Sequence, residues 1–140
     1  MRPLWNRAAL SLCLTSILIA PATARNADGF ASREMQALAR ELADRKAGKS
    51  AQCIDLRRMN GPESFGDQTI VYRQSGRRIW VSKLREGCPW LRGDRTLIVE
   101  SFGTQVCQND QFRVLPRGSA IASGSCFFGT FTPYDRVARR

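Results

Sequence analysis

From Phe30 to Lys46 the apolar positions recur at helical spacing. Ala31, Met35, Leu38 and Leu42 fall at i, i+4, i+7 and i+11, one stripe on a helix. Arg33, Gln36, Arg40 and Glu41 lie largely off that stripe. Glu41 and Arg45 form a favourable i,i+4 pair. Lys46 sits where the helix dipole favours a cation, and Gly48 offers a C-terminal stop. The spacing predicts one amphipathic helix. Its stripe is narrow and alanine-rich, which favours docking on its own domain over docking on a membrane or a partner.

After Gly48-Lys49-Ser50 the character changes to strands. Cys53 to Leu56 alternates, and Met59 to Gly66 reads as a loop marked by Asn60-Gly61-Pro62. Gln68 to Arg73 and Arg78 to Leu84 flank a turn at Gln74-Ser75-Gly76-Arg77 and make the best hairpin in the chain. Within it, Ile70 and Tyr72 share one face while Val71 and Arg73 share the other. The alternation therefore leaves open which face is buried. Glu86 to Trp90 reads as a turn, and Thr96 to Ser101 as another strand. Gly103 breaks it, and Thr104 to Gln108 follows with Cys107. Phe112 to Leu115 alternates again. Pro116 to Gly124 is a small-residue loop, with Ala120-Ile121-Ala122 as an optional strand. Cys126 to Phe131 reads as the last strand, ended by Thr132-Pro133, with a frayed polar tail after it. Five to seven short strands after one helix predict a mainly β fold: a small antiparallel barrel or sandwich stapled by two disulfides. Closure would also hide edges that aggregate.

The first residues carry a different signal. Arg2 and Arg7 make a positive start without an acid, and Ala8 to Ala20 is uncharged and rich in Leu, Ile and Ala. That run is shorter than the ~20 residues a bilayer span needs. Pro21 breaks it, and Ala22-Thr23-Ala24 supplies the small residues of a cleavage site. The expectation is a secretory leader over 1–24, then a helix and linker over 25–50, a β domain over 51–133 and a polar tail over 134–140. Cys13 sits mid-run after Leu12 and leaves with the leader. The exported product would be periplasmic or secreted.

Four cysteines remain: Cys53, Cys88, Cys107 and Cys126. An even number in an exported chain predicts two disulfides, and four cysteines allow three pairings. The preferred one joins Cys53 to Cys126 and Cys88 to Cys107, nesting one link inside the other and tying the first strand to the last. A loop that long would stabilise by roughly 4 kcal/mol in the chain-entropy account. No C-x-x-C is present, so structural bridges outrank a redox pair. The wide cysteine spacing and the lack of histidine speak against zinc.

Without Arg2 and Arg7 the 22 basic residues fall to 20 against 12 acidic ones, a net charge of +8. All but Lys46, Lys49 and Lys83 are arginine. A basic surface favours anionic partners, and Arg73, Arg77, Arg78 and Arg113 are the candidate anion-binding residues. A charge of this size also simply keeps a domain soluble. Tyr72, Trp80, Trp90, Phe112, Phe127 and Phe128 interleave with arginines, as on a single-stranded nucleic-acid platform. Core residues alternating with a solvated face explain them better.

Several strand segments together resemble a known family. They are Cys53-Ile54-x-Leu56-x-Arg58, then Asp67-x-Thr69-Ile70-x-Tyr72-Arg73 with Gly76 and Trp80. Leu84 and Cys88-Pro89-x-Leu91 follow, then Val106-Cys107-x-x-Asp110-x-Phe112-x-Val114 and Cys126-x-x-Gly129-x-Phe131-x-Pro133. This resembles a domain family of unknown function in small exported proteobacterial proteins, over roughly 51–133 with the helix outside. The resemblance implies export and a shared small fold, and it implies no activity.

The residues themselves offer little chemistry. Without histidine the chain lacks the commonest general base and metal ligand. No nucleophile elbow, phosphate-cradling loop or calcium loop is present, and no cofactor is implied. Asp55, Glu63, Asp67, Glu100 and Asp110 could supply a hydrolytic pair, but turn capping and arginine pairing account for them as well. The leading expectation is a non-catalytic binding or envelope-associated module. Its partner would be an anionic envelope component or another exported protein, with nucleic acid ranked below both. A carboxylate-dependent hydrolase and a secreted protein inhibitor are the alternatives.

Overall fold

The structure, a computed structural model, describes residues 23–74, 77–101 and 103–137. The expected leader lies outside them apart from Thr23 and Ala24. The tip of the Gln74 to Arg77 turn and the end of the tail also lie outside. A helix, α1, spans Thr23–Leu42. It starts before Phe30 and stops short of Lys46. Arg45–Ala47, the expected last helical turn, is instead strand β1, because it pairs with residues 134–136 in an antiparallel ladder. The Glu41–Arg45 pair survives across that break at 3.9 Å, and Arg45 Nη1 also donates to the Arg77 carbonyl at 2.7 Å.

Nine further strands follow: β2 Cys53–Asp55, β3 Met59–Phe65, β4 Thr69–Gln74, β5 Arg78–Lys83, β6 Thr96–Val99, β7 Gln105–Cys107, β8 Gln111–Leu115, β9 Ser125–Phe127 and β10 Phe131–Arg136. They form a five-stranded sheet in the order β1-β10-β5-β4-β3, a three-stranded sheet β6-β8-β9 and a β2-β7 pair, all antiparallel. The five-stranded sheet ends on β1 and β3, which do not meet. The fold is therefore sandwich-like and not a closed barrel.

The expected hairpin is β4 and β5, and both of its faces are buried. Val71, Ile79 and Val81 face α1, where Leu38 is buried among them and Leu42 packs alongside. The helix is thus docked on its own domain, and burying a leucine of this kind contributes roughly 1.5–3 kcal/mol. Glu34 adds a polar anchor: its Oε2 accepts from the Gly66 amide at 2.9 Å, in the β3–β4 turn where Gly66 has a φ of 63°. The opposite face carries Ile70 and Tyr72 into the main core, against Phe112, Val114, Phe128 and Phe131. The Phe112 and Phe128 rings lie 4.7 Å apart.

Three strand boundaries differ from the sequence expectation, each because of a specific contact with another segment. Met59 to Phe65 is an edge strand, not a loop. Its ladder skips between Asn60 and Glu63, so Pro62 sits at a bulge where its missing N–H breaks no regular bond. The expected strand Cys126 to Phe131 is two strands separated at Gly129. There the chain passes so close to β5 that an added Cβ would run into the Lys83 carbonyl. Pro133 does not end the last strand but lies buried within β10. The Gly48 amide donates to the Pro133 carbonyl at 2.8 Å, so Pro133 turns its backbone polar groups away from β5, and the β5 ladder loses nothing. Residues 120–122 form no strand.

The disulfides are Cys53–Cys107 and Cys88–Cys126, not the nested pairing. Cys53 stands directly opposite Cys107 in the β2–β7 ladder, so the first disulfide follows from strand pairing. The nested pairing assumed that the first strand meets the last, whereas β2 pairs with β7. Cys126 points inward from β9 onto Cys88, and both are buried. Non-reducing peptide mapping is expected to recover these two bridges and no other. Replacing Cys88 and Cys126 by alanine, a link across 38 residues, should cost about 4 kcal/mol by the loop-entropy relation. Gly129→Ala should cost about 1–3 kcal/mol through overpacking, read in urea as a lower midpoint with an unchanged slope.

Candidate functional site

Three of the four candidate anion-binding arginines are held in ion pairs. Arg73 bridges Glu63, at 2.8 Å through Nη2, and Glu41 of α1. Arg78 makes a two-point contact with Asp135, both distances 2.7 Å, and its guanidinium lies 5.6 Å from the centre of the Trp80 ring. Arg113 pairs with Glu100 at 2.9 Å. Arg77 is exposed at the end of the hairpin. The structure does not gather these four into one patch. Arg73 and Arg78 lie on neighbouring strands of the large sheet, and Arg113 belongs to the small one.

Four of the five candidate carboxylates, Asp55, Glu63, Glu100 and Asp110, are engaged one at a time, each with its own partner. Asp55 caps the 3-10 turn Leu56–Arg58, accepting from the Arg57 amide at 3.0 Å and from its guanidinium at 2.7 Å. Those hydrogen bonds pull its carboxyl down to about 2. Glu63 is lowered in the same way by Arg73. Asp110 Oδ2 accepts from the Cys107 amide at 2.7 Å, closing a turn in which Asn109 takes a φ of 70°. Both resolved shifts in this set are downward, opposite to what a general acid near neutral pH requires. Among the described residues, no three Asp, Glu or Cys gather as a metal site would need.

A cleft of about 430 Å³ opens beside β9, lined by Arg85, Glu86, Gly87, Pro89 and Trp90 together with Asn109 and residues 125–128. Its aromatic walls follow from local structure. Cys88 and Leu91 are buried, and the Leu91 amide donates to the Cys88 carbonyl at 2.8 Å, fixing a tight turn. Trp90 lies between those two anchors and is turned outward, 45% exposed. Its ring lies against Gly124, 3.5 Å from where a Cβ would stand. On β9 the pleat sends Cys126 inward and Ser125 and Phe127 outward, leaving Phe127 53% exposed.

The sequence named both aromatics but did not separate them from the core set. The structure sinks Tyr72, Phe112 and Phe128 completely and half-buries Trp80, whose Nε1 donates to Gln74 at 2.9 Å. Disulfide bonding alone does not supply the separating signal, since the bridged Cys53 is exposed; only the β9 pleat, with Cys126 inward, turns Phe127 out.

The Asp55 pairing has a measurable consequence. Its folded pKa lies below the unfolded value, so its contribution to stability is complete above about pH 4 and fades as pH falls towards 2. An NMR titration of the Asp55 carboxyl carbon should show a midpoint near pH 2. Arg57→Ala should raise that midpoint towards the ordinary aspartate range, while the backbone amide of residue 57 still holds it below that range.

No curated protein and no solved structure matches this chain significantly. A family model does, over residues 5–140, a span that takes in α1 as well as the strand region. The chain belongs to that family, described as a family of unknown function (DUF6491).

Proposed function

We propose that this protein is an exported, disulfide-braced binding module that takes a protein segment in the cleft between Trp90 and Phe127. The observation that carries this reading is the exposure of two large aromatic rings in the lining of one cleft. Cys126 of the Cys88–Cys126 bridge lines the same cleft. Aromatic side chains at a rigid, partly desolvated site supply contact area at little entropic cost, which is why they recur at protein-binding hot spots. Export is supported by the leader-like composition of residues 1–24 and by two disulfides, which persist in oxidising compartments.

The ion pairs of Arg73, Arg78 and Arg113 favour a protein ligand over an anionic surface. A guanidinium already satisfied by a carboxylate must give up that partner to take a phosphate.

Protein expressed from its full-length gene is expected in the periplasm with a mass beginning at Arg25. A random ten-residue peptide library panned against it should yield sequences that shift Trp90 emission in a Trp80→Phe background. Trp90→Ala and Phe127→Ala should each weaken those peptides tenfold or more without lowering Tm appreciably. Phosphatidylglycerol vesicles that shift the same emission, with no peptide enriched, would overturn the reading in favour of an anionic ligand.

A further inference from the structure

The cleft runs along an unpaired strand edge. β9 pairs with β8 alone, and the other side of β8 is taken by β6. The bonds that fix the ladder's phase lie at Phe128, the residue just after β9: its amide donates to the Asp110 carbonyl at 3.1 Å, and the Asn109 amide donates to its carbonyl at 2.9 Å. In an antiparallel ladder the bonded pairs alternate, so Phe128 and Cys126 face β8, whereas Ser125 and Phe127 direct their N–H and C=O away from it. Among the described residues no backbone partner takes those four groups. Ser125 and Phe127 are also the two β9 residues that stand exposed at the cleft wall.

A second free edge, on β6, differs in shape. Leu97 and Val99 lie out of phase with the Glu100–Gln111 bond and so also face away from β8. The clefts described here include no residue of β6 in their lining. The β9 edge combines unpaired backbone groups with cleft-lining side chains.

We propose that β9 receives an extended peptide segment of another protein as an added strand, hydrogen-bonded to Ser125 and Phe127, with one apolar side chain lodged between Trp90 and Phe127. This rests on the reading of the cleft as a protein-binding site and specifies how the ligand is held. Main-chain bonds supply affinity in such strand addition, and the pocket for alternate side chains supplies selectivity. The segment's flanks are acidic, because Arg85, Arg92 and Arg95 surround Trp90 in the chain against Glu86 and Asp94, and the chain without residues 1–24 carries a net charge of +8. Arg95 is fixed near the ring by donating to the Trp90 carbonyl at 3.0 Å.

Ser125→Pro tests the backbone directly. The Ser125 N–H faces away from β8, so proline there removes a donor the ligand would use and none the ladder uses. Peptides enriched from the random library are the probe, together with copies N-methylated at alternate residues. Strand addition predicts that the amides of Ser125 and Phe127 exchange rapidly in the free protein and slow at least tenfold on binding. It also predicts that either Ser125→Pro or N-methylation in one of the two registers weakens binding tenfold or more. Should Ser125→Pro fail to fold, the N-methylated peptides and the amide exchange still decide. Peptides that need Trp90 yet bind N-methylated copies equally, with the Ser125 and Phe127 amides unprotected, would overturn strand addition while leaving the cleft a peptide site. A library without enriched sequences would overturn both readings. A concentration-dependent dimer that protects the same two amides would replace the foreign segment by a second copy of this chain.

Discussion

Strand β4 has no solvent side, and most of the architecture follows from that constraint. Val71 needs apolar cover on one face, and Ile70 and Tyr72 need it on the other. One helix answers the first need with Leu38 and Leu42, and the two small sheets answer the second with Phe112, Phe128 and Val106. The Tyr72 ring lies so deep that burial alone pushes its hydroxyl pKa upward. A 140-residue chain that supports three layers has little interior to spare. Two covalent links therefore fall where the smaller layers are thinnest, across the three-residue β2–β7 pair and beneath the three-residue β9.

The same constraint explains how much of the fold was legible. The β4–β5 hairpin and the helix stripe were readable because β-branched runs and helical spacing survive whatever packs against them. The two-faced burial was visible as an ambiguity, since Ile70 and Val71 are both apolar on opposite faces, and the ambiguity was itself the answer. Met59 to Phe65 was hidden because Asn60, Gly61 and Pro62 are turn residues by local preference, and only the neighbouring β4 makes them an edge strand. Gly129 and Pro133 misled in opposite directions, one breaking a strand and the other continuing one, each because of a contact with a distant segment. Disulfide pairing was illegible for a related reason: it depends on β2 meeting β7, a long-range fact that no spacing encodes.

At the candidate site, three of the four arginines that charge singled out are paired with carboxylates, and Asp55, Glu63 and Glu100 among the candidate carboxylates are paired with arginines. These pairs are largely exposed and contribute little stability individually. What they do is neutralise one another across the sheet surface. Beside β9 the aromatic cleft brings two exposed rings and four unpaired backbone groups together in one place. The bridge beneath it supplies rigidity, which a binding edge needs if the ligand is not to be charged for ordering it.

The docking of α1 on the sheet is the claim on which this arrangement rests, and Leu38→Ala measures it most directly. Leu38 is only 3% exposed, so the account predicts a loss of about 2–5 kcal/mol in urea unfolding, the range of a leucine truncated in a packed core. Alanine is the better helix former, so a helix standing free of the sheet would lose nothing by the change. A loss below about 0.5 kcal/mol, ordinary for a surface position, would contradict the docked helix and the two-sided burial of β4 with it.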